Sequence, residues 1–233
     1  MKTLDRVTIT GADDSIVTGD LVLLTRQYPF VEWGILVSGN SRFGTPRFPS
    51  GMWIQELSTL GLPLSLHLCG RPVRDVCQGN WNGVADCEVF GAFQRVQLNF
   101  HSYLHLITPE FVPGCLSIDK QIIFQCDGVN DHLVSNAYDD GLDAVPLYDR
   151  SGGAGVVPDD WPGAMAGIYS GYAGGLGPDN LYEELSKIRE AASERFWVDM
   201  ETKVRSSNDR QFDLGKVRKC LEIAAYYLAG NHE

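Results

Sequence analysis

The chain has 233 residues, the length of one α/β domain, and its 44% hydrophobic and 21% charged residues exclude a disordered polypeptide because they can form a large core. Acidic residues outnumber basic ones by 30 to 19, which gives a formal charge of −11, and the sequence has no basic run. This charge argues against nucleic acid as a partner, and an anionic ligand would have to be captured by local groups rather than steered by the whole protein.

Eight apolar runs of strand length recur along the chain, and most are followed by a turn signal and a helical pattern, as in βα units. The central runs are continuous rather than alternating, which is typical of parallel strands with helices on one face and a closed core on the other. The pattern predicts a single-domain (β/α)8 TIM barrel over residues 1–233. The predicted strands are Arg6–Thr10, Val31–Val37, Leu62–Cys69, Phe93–Asn99, Gln121–Cys126, Asp143–Asp149, Ala166–Gly171 and Phe196–Glu201.

The helical patterns between these strands differ in strength. Helices are predicted over Ile16–Tyr28, Met52–Leu60, Pro178–Ser193 and Leu214–Leu228. The last two are the clearest, because one begins with proline and an acid in its first turn and the other carries an apolar stripe. Irregular segments are expected after strands three and four. The first is the Gly- and Asn-rich stretch Arg71–Gly91, and the second contains only Ser102–Leu106 and a region broken by prolines.

Three polar or glycine-rich patches, at residues 149–155, 173–180 and 199–205, follow the last three predicted strands. In a (β/α)8 barrel these loops lie at the carboxyl-terminal rim, where active sites and phosphate sites occur. Glycine lets backbone amides approach phosphate oxygens closely, and a following helix N-terminus adds a favourable dipole. A single glycine pair often does no more than turn the chain, but three such patches on successive loops favour binding. The predicted phosphate-binding residues are Gly153, Gly155, Gly174, Gly175, Thr202 and Lys203.

The same patches resemble the phosphoribosylanthranilate isomerase family. Residues 147–161 contain an aspartate, a GGxG turn and a DW pair in that family's order, residues 173–180 resemble its AGGLxPEN segment, and residues 198–205 are similar to its DVSSGVE loop. The opening strand at 7–11, the second loop at 40–48 and the fourth strand at 96–98 are also similar. The resemblance implies a (β/α)8 barrel that converts an aminoaldose phosphate to an aminoketose by an Amadori rearrangement.

The resemblance also implies residue roles. It places the general acid at Asp149, which could alternatively do no more than cap the turn that follows it. The family's general base is a cysteine, and Thr10 stands at that position. A threonine hydroxyl is far too weak a base near neutral pH, whereas a thiol starts from a pKa of about 8.5. Lys203 stands where the family has glycine, so it either stiffens the loop or supplies a cation to the phosphate.

Two residues of the third strand are candidate replacements for the missing base. His67 and Cys69 are two positions apart, so strand alternation places them on the same side, facing the barrel interior. The alternative is that both are packed core residues. Gln97 and Asn99 of the fourth strand are predicted to contact the substrate. Arg47, by resemblance to the family's arginine, is expected to bind a substrate carboxylate unless it is a solvated surface residue.

The six cysteines are scattered without a CxxC pair or zinc-ligand spacing, so neither disulfides nor a metal are expected, and no cofactor is indicated. No apolar run approaches about 20 residues, which predicts a soluble cytoplasmic protein that does not contact membranes. The expected partner is a small phosphorylated metabolite, and a homodimer is left open. The leading hypothesis is an aldose–ketose type isomerase with an altered base. The alternatives are a barrel that binds or sequesters a phosphometabolite or nucleotide without turnover, and another lyase or isomerase reaction on the same scaffold.

Overall fold

The computed structural model describes residues 2–39, 44–100, 107–165 and 167–230. Eight parallel strands form one closed barrel in chain order, and β1 pairs with both β2 and β8. The prediction of a TIM barrel is therefore confirmed. The strands are β1 (Thr3–Thr10), β2 (Val31–Ser38), β3 (Leu64–Cys69), β4 (Arg95–Leu98), β5 (Gln121–Cys126), β6 (Ala144–Tyr148), β7 (Ser170–Ala173) and β8 (Arg195–Met200).

Helices cover the outside of this barrel. They are α1 (Thr18–Gln27), α2 (Gly51–Ser58), α3 (Arg71–Cys77), α4 (Asn82–Ala85), α5 (Phe111–Leu116), α6 (His132–Asp139), α7 (Leu181–Ala191) and α8 (Leu214–Leu228), with a 3₁₀ turn at Glu88–Ala92 and another at Thr202–Val204. The four predicted helices are present, and α8 has the predicted bounds. The segment after β3 is divided into three short helical pieces, as the glycines and asparagines there indicate. Residues 102–106 lie outside the described part of the chain.

Every predicted strand overlaps an observed one, and the largest shift is at β7. That strand begins at Ser170 rather than Ala166, and Ala166 itself lies outside the described residues. Within residues 149–165 and 167–169 no helix separates β6 from β7. Gly152, Gly153 and Gly155 all have positive φ angles there, of 59°, 89° and 68°, which are incompatible with a right-handed helix. The structure thus replaces one outer helix by a turn-rich loop.

An aromatic residue fastens this loop to the barrel. Trp161 packs edge-on against Tyr172 of β7 at 6.0 Å between ring centroids, and its indole N–H donates to Glu184 of α7 at 2.8 Å. The two strands beneath the loop share only the pairs Leu147↔Gly171 and Tyr148↔Tyr172. The β6–β7 seam is therefore short and is covered by a loop instead of a helix.

The barrel interior is divided into an apolar and a polar half. Trp197 of β8 occupies the centre of the apolar half and lies directly on Gly171, where a Cβ atom would collide with the indole ring. Since interior positions alternate with exterior ones along each strand, these side chains form a core separate from that beneath the helices. The apolar half consists of Ile123, Val145, Leu147, Ala173 and Trp197.

In the polar half, one buried carboxylate accepts hydrogen bonds from three neighbouring side chains. Glu32 of β2 accepts hydrogen bonds from Thr8 Oγ1 at 2.9 Å, Arg95 Nη2 at 2.9 Å and Arg6 Nη1 at 2.8 Å. The Arg95 guanidinium also lies 4.5 Å from the centre of the Trp197 ring, which joins the two halves. Because a buried charge is stable only when it is paired, this network fixes the strand ends below the site.

The outer core follows the predicted stripes. In α7, Leu181, Leu185 and Ile188 are buried. In α8, the buried residues include Val217, Leu221 and Ala224. Asp213 caps α8 by accepting hydrogen bonds from the amides of Gly215 at 3.0 Å and Lys216 at 3.1 Å. The helix therefore begins at Leu214, as predicted. Across the described residues, every helix is too short or too polar to traverse a lipid bilayer.

Candidate functional site

A polar cavity of about 270 Å³ opens at the carboxyl ends of the strands. Most of the predicted site residues line it, although Thr10 and Arg47 do not. The predicted residues at this cavity are His67, Cys69, Gln97, Asn99, Asp149, Gly153, Gly155, Gly174, Gly175, Thr202 and Lys203.

The loops after β6, β7 and β8 meet at one side of this cavity. A Cβ atom on Gly175 would lie 2.9 Å from the carbonyl oxygen of Gly155, and one on Gly155 would lie 3.3 Å from Cβ of Thr202. Gly177 is equally close to Lys203, where a side chain would collide with the lysine stem. The absence of side chains at these glycines lets three loops from successive strands form one wall.

The amides of this wall fall into two groups. Gly153 N–H donates to Asp149 Oδ2 at 2.7 Å and Gly155 N–H donates to Ser151 Oγ at 3.1 Å, so these two predicted amides are used within their own loop. The amides of four other residues donate no hydrogen bond to any acceptor within the described part of the chain. These four are Gly174, Gly175, Thr202 and Lys203. These residues line the cavity from the β7 and β8 loops, and their amides are not used by a protein acceptor.

Asp149, the predicted general acid, organises the loop after β6. Its Oδ1 accepts the amide and the hydroxyl of Ser151, at 3.1 Å and 2.6 Å. Its Oδ2 accepts Gln125 Nε2 at 2.8 Å as well as the Gly153 amide. Both carboxylate oxygens are therefore occupied by protein donors. This is the arrangement of a residue that caps a turn, which was the alternative role considered for it.

Asp199, at the end of β8, was not among the predicted catalytic residues. It lines the cavity yet is 7% exposed, and burial, reinforced by the nearby Glu201 carboxylate, raises its pKa to about 8. Its position in the third rim patch, on the inward face of a strand end, is the sequence signal that would have identified it. A carboxyl group that is protonated near neutral pH can donate a proton and, after ionising, accept one.

Thr10 does not line the cavity but supports Asp199 from the neighbouring strand. Its hydroxyl donates to Asp199 Oδ1 at 2.8 Å, and the side chain is 1% exposed. It cannot reach a ligand directly. At the position where the sequence resemblance predicts a base, this chain therefore has a hydrogen-bond donor to the buried acid.

His67 is buried beside the same acid, with Nδ1 4.0 Å from Asp199 Oδ2. Burial, together with the positive charge of Arg95, lowers the pKa of His67 to about 3, so the imidazole is neutral at physiological pH. Its Nε2 has no hydrogen-bond partner in the described structure and faces Gly34, where a Cβ atom would lie 3.0 Å away. A base whose conjugate acid has so low a pKa is weak, and this geometry favours a packing role over the predicted catalytic one.

Cys69 is also unsuited to act as a base. Burial, with a smaller contribution from Glu201, raises the pKa of its thiol to about 12. Asn99 Nδ2 donates to the sulfur at 2.8 Å, and Gln97 Nε2 donates to Asn99 Oδ1 at 3.0 Å. The three side chains form a hydrogen-bonded row along the wall made by β3 and β4.

Arg47 lies beyond the cavity and is engaged by carboxylates of the protein. Its Nε donates to Asp209 Oδ2 at 2.6 Å, and its Nη1 pairs with Glu201. Its amide donates to Asp13 Oδ2 at 2.8 Å, and its φ angle of 73° holds the loop in a tight turn. Arg47 is therefore part of a structural ion-pair network. The preceding residues 40–43 lie outside the described part of the chain.

No cluster of three or more His, Cys, Asp or Glu side chains suited to a metal ion occurs within residues 2–39, 44–100, 107–165 and 167–230. The site is instead built from backbone amides, one lysine, neutral amide side chains and carboxyl groups. The fold and the cavity together define a (β/α)8 barrel with a polar rim site.

No family model matches the sequence, and no curated protein matches it. Solved structures do match. A mutant tryptophan synthase α-subunit from Pyrococcus furiosus is 14% identical with a TM-score of 0.59, covering 98% of each chain. A truncated 3-deoxy-D-arabino-heptulosonate 7-phosphate synthase from Thermotoga maritima is 9% identical with a TM-score of 0.57, covering 98% of this chain and 87% of the other. A phosphoribosyl anthranilate isomerase from Thermococcus kodakaraensis is 14% identical with a TM-score of 0.49, covering 94% of this chain and 98% of the other. At such identities the likeness shows the barrel fold alone.

Proposed function

We propose that the chain binds a phosphorylated sugar, a ribose phosphate derivative, at the carboxyl-terminal rim and isomerises it by proton transfer between neighbouring carbons. The phosphate is held by the amides of Gly174, Gly175, Thr202 and Lys203, with the Lys203 ammonium as a flexible counter-charge. The observation that carries the proposal is that the four residues with unused amides and the buried Asp199 line the same cavity.

The amides suit a phosphate because they are fixed by the loop contacts before a ligand arrives. Gly174 and Gly175 have φ angles of 116° and 65°, which only glycine adopts readily, so the loop conformation is built into the sequence. Preorganised amides bind anions without the cost of ordering a side chain. The negative net charge of the chain makes such local capture necessary.

Asp199 is the group that we assign to the proton transfer. In its ionised form it takes the proton from the carbon next to the carbonyl and returns it to the carbonyl carbon, while the hydroxyl proton moves between the two oxygens. This sequence converts an aldose to a ketose without net gain or loss of protons. A carboxyl with a pKa of about 8 is a stronger base than an ordinary aspartate when ionised, and a fraction of it is ionised at neutral pH.

The proposal is tested by hydrogen exchange at the substrate. The full chain is incubated in D₂O with a panel of aldose phosphates, and NMR follows deuterium entering at the carbon next to the carbonyl. Incorporation is expected for at least one aldose phosphate and should be lost in Asp199→Asn, which should still bind inorganic phosphate. Unchanged incorporation in Asp199→Asn would contradict the assignment.

A second candidate function is binding of a phosphometabolite without turnover. It is supported by the saturated hydrogen bonding of Asp149, the neutral weak base His67 and the un-ionised Cys69. Among the described residues of the lining, these leave only Asp199 and Glu201 for proton transfer, and Glu201 is paired with Arg47. In the same experiment, this function predicts saturable binding of a sugar phosphate with no deuterium incorporation in the unmodified protein.

A further inference from the structure

The wall of the cavity opposite the phosphate loops is made by β3 and β4, which lie across the closed barrel from β7 and β8. Among the described residues that line the cavity, Lys203 is the only lysine or arginine, and it belongs to the phosphate side. His67 on the opposite wall is neutral because burial lowers its pKa to about 3. Among the described residues of the lining, no lysine or arginine therefore lies on the β3 and β4 wall.

The carboxyl groups of the cavity offer no partner to a second anion. Asp149, Asp199 and Glu201 all line the cavity. Arg47, which the sequence predicted would bind a substrate carboxylate, is held by Asp209 and Glu201 instead and is not itself part of the lining. Within the described lining, a substrate carboxylate would therefore find no lysine or arginine other than Lys203, which the phosphate uses.

Gln97, on the same wall, favours ligands that carry a hydrogen-bond donor. It is 6% exposed, its Nε2 donates to Asn99, and its Oε1 has no hydrogen-bond partner in the described structure. The bond from Asn99 to the Cys69 sulfur fixes the direction of this row, so the free atom of Gln97 is an acceptor. A buried acceptor of this kind favours a ligand that brings a donor.

We infer that the ligand is a monophosphate whose other end is uncharged and carries hydroxyl groups, one of which donates to Gln97 Oε1. The inference rests on the proposed phosphate site and narrows its substrate class to neutral sugar phosphates. It excludes ligands with a ring carboxylate or a second phosphate at that end. The cavity of about 270 Å³ suits a small ligand of this kind, since pockets for drug-sized ligands run to about 300–1,000 Å³.

The test compares three probes on the full chain by isothermal titration calorimetry: inorganic phosphate, ribose 5-phosphate, and the aldonic acid 5-phosphate that differs from it by a carboxylate at carbon 1. Ribose 5-phosphate is expected to bind at least about tenfold more tightly than either of the others. Equal or tighter binding of the acid overturns the inference while leaving the phosphate site intact. Failure of all three probes to bind contradicts the phosphate site and removes the basis of the inference.

Two variants locate the preference at Gln97. Gln97→Met removes the acceptor while retaining a similar shape, and it should weaken ribose 5-phosphate about tenfold with inorganic phosphate unchanged. Gln97→Glu keeps an acceptor at the same place but, like Gln97→Met, loses the donor to Asn99, so it should bind the aldose more tightly than Gln97→Met does. Equal weakening of both probes in Gln97→Met, in a protein whose Tm is unchanged, would overturn the assignment of Gln97.

Discussion

Thr10 Oγ1 donates a hydrogen bond to Asp199 Oδ1 across the seam where β1 and β8 close the barrel, at a distance of 2.8 Å. The two residues are 189 positions apart in the chain. The bond favours the ionised form of a carboxyl whose burial opposes ionisation, so it moderates the raised pKa of Asp199. Thr10 is thus a positioning residue for the group that we assign to proton transfer.

Thr10→Val should raise the pKa of Asp199 above about 8, because the hydroxyl that stabilises the carboxylate is lost while the shape is kept. The pH midpoint of deuterium incorporation into the substrate should move upward by the same amount. Thr10→Ser retains the hydroxyl and should leave the midpoint in place. A midpoint that is identical in both variants would show that the hydrogen bond does not influence the acid.

Stability should fall as the pH rises from about 6.5 to about 8. Asp199 has a folded-state pKa of about 8, above its unfolded value, so its stabilising protonation is lost as the pH rises through that value. His67, with a folded-state pKa of about 3, acts in the opposite direction, but only below its unfolded pKa of about 6.5. From about pH 6.5 to about pH 8, the free energy of unfolding should therefore decrease by roughly 2 kcal/mol.

Urea denaturation at a series of pH values measures this dependence. Asp199→Asn, which cannot ionise, should remove the decrease between about pH 6.5 and 8, and Asp149→Asn serves as the control at a second cavity carboxylate. A decrease that persists in Asp199→Asn would assign the titration to another group.

Gly175→Ala should abolish phosphate binding. Its new Cβ would lie 2.6 Å from the amide nitrogen of Val157 and 2.9 Å from the carbonyl oxygen of Gly155, which forces the β6 and β7 loops apart. Gly152→Ala is the matched control, because Gly152 also has a positive φ of 59° but a Cβ there would meet no atom within 4 Å. Calorimetry with inorganic phosphate should show a loss of affinity in Gly175→Ala only. Gly152→Ala should lose about 1 kcal/mol of stability through backbone strain, and Gly175→Ala should lose more because of the added collisions.

Cys69 should resist alkylation although it lines the cavity. Burial raises its pKa to about 12, so the reactive thiolate is scarce below pH 9. Cys87 is exposed and should be modified first by iodoacetamide at pH 8. Mass spectrometry of the native protein should find carbamidomethylation at Cys87 while Cys69 remains free. Modification of Cys69 at a comparable rate would show that its thiol is ionised more readily than its burial implies.

Much of this fold could be predicted from local sequence patterns. The apolar stripe of α8 and the continuous apolar runs of the strands reflect burial along one element, which neighbouring residues report directly. The missing helix between β6 and β7 was not predicted, even though three glycines within four residues, at 152, 153 and 155, disfavour a helix there. The helix α6 was also not predicted.

The site was harder to predict because its chemistry depends on pairings between distant residues. Arg47 donates a hydrogen bond to Asp209, which is 162 positions away in the chain, so no local sequence pattern reveals this pairing. Likewise, whether Asp149 is free or bonded depends on Gln125 and on the folding of its own loop. The location of the polar cavity at the carboxyl ends of the strands followed from the fold. The state of each side chain within it required the three-dimensional structure.

The short seam between β6 and β7 bears on how the molecule opens. With two paired positions and a loop in place of a covering helix, it is the point where the strands can most easily separate without global unfolding. Amide protons of Gly171 and Tyr172 should therefore lose their protection against solvent earlier than those of the long β1–β8 seam. The loops after β6 and β7, which flank this seam, belong to the wall of the proposed phosphate site. A bound phosphate should therefore slow the separation of these two strands.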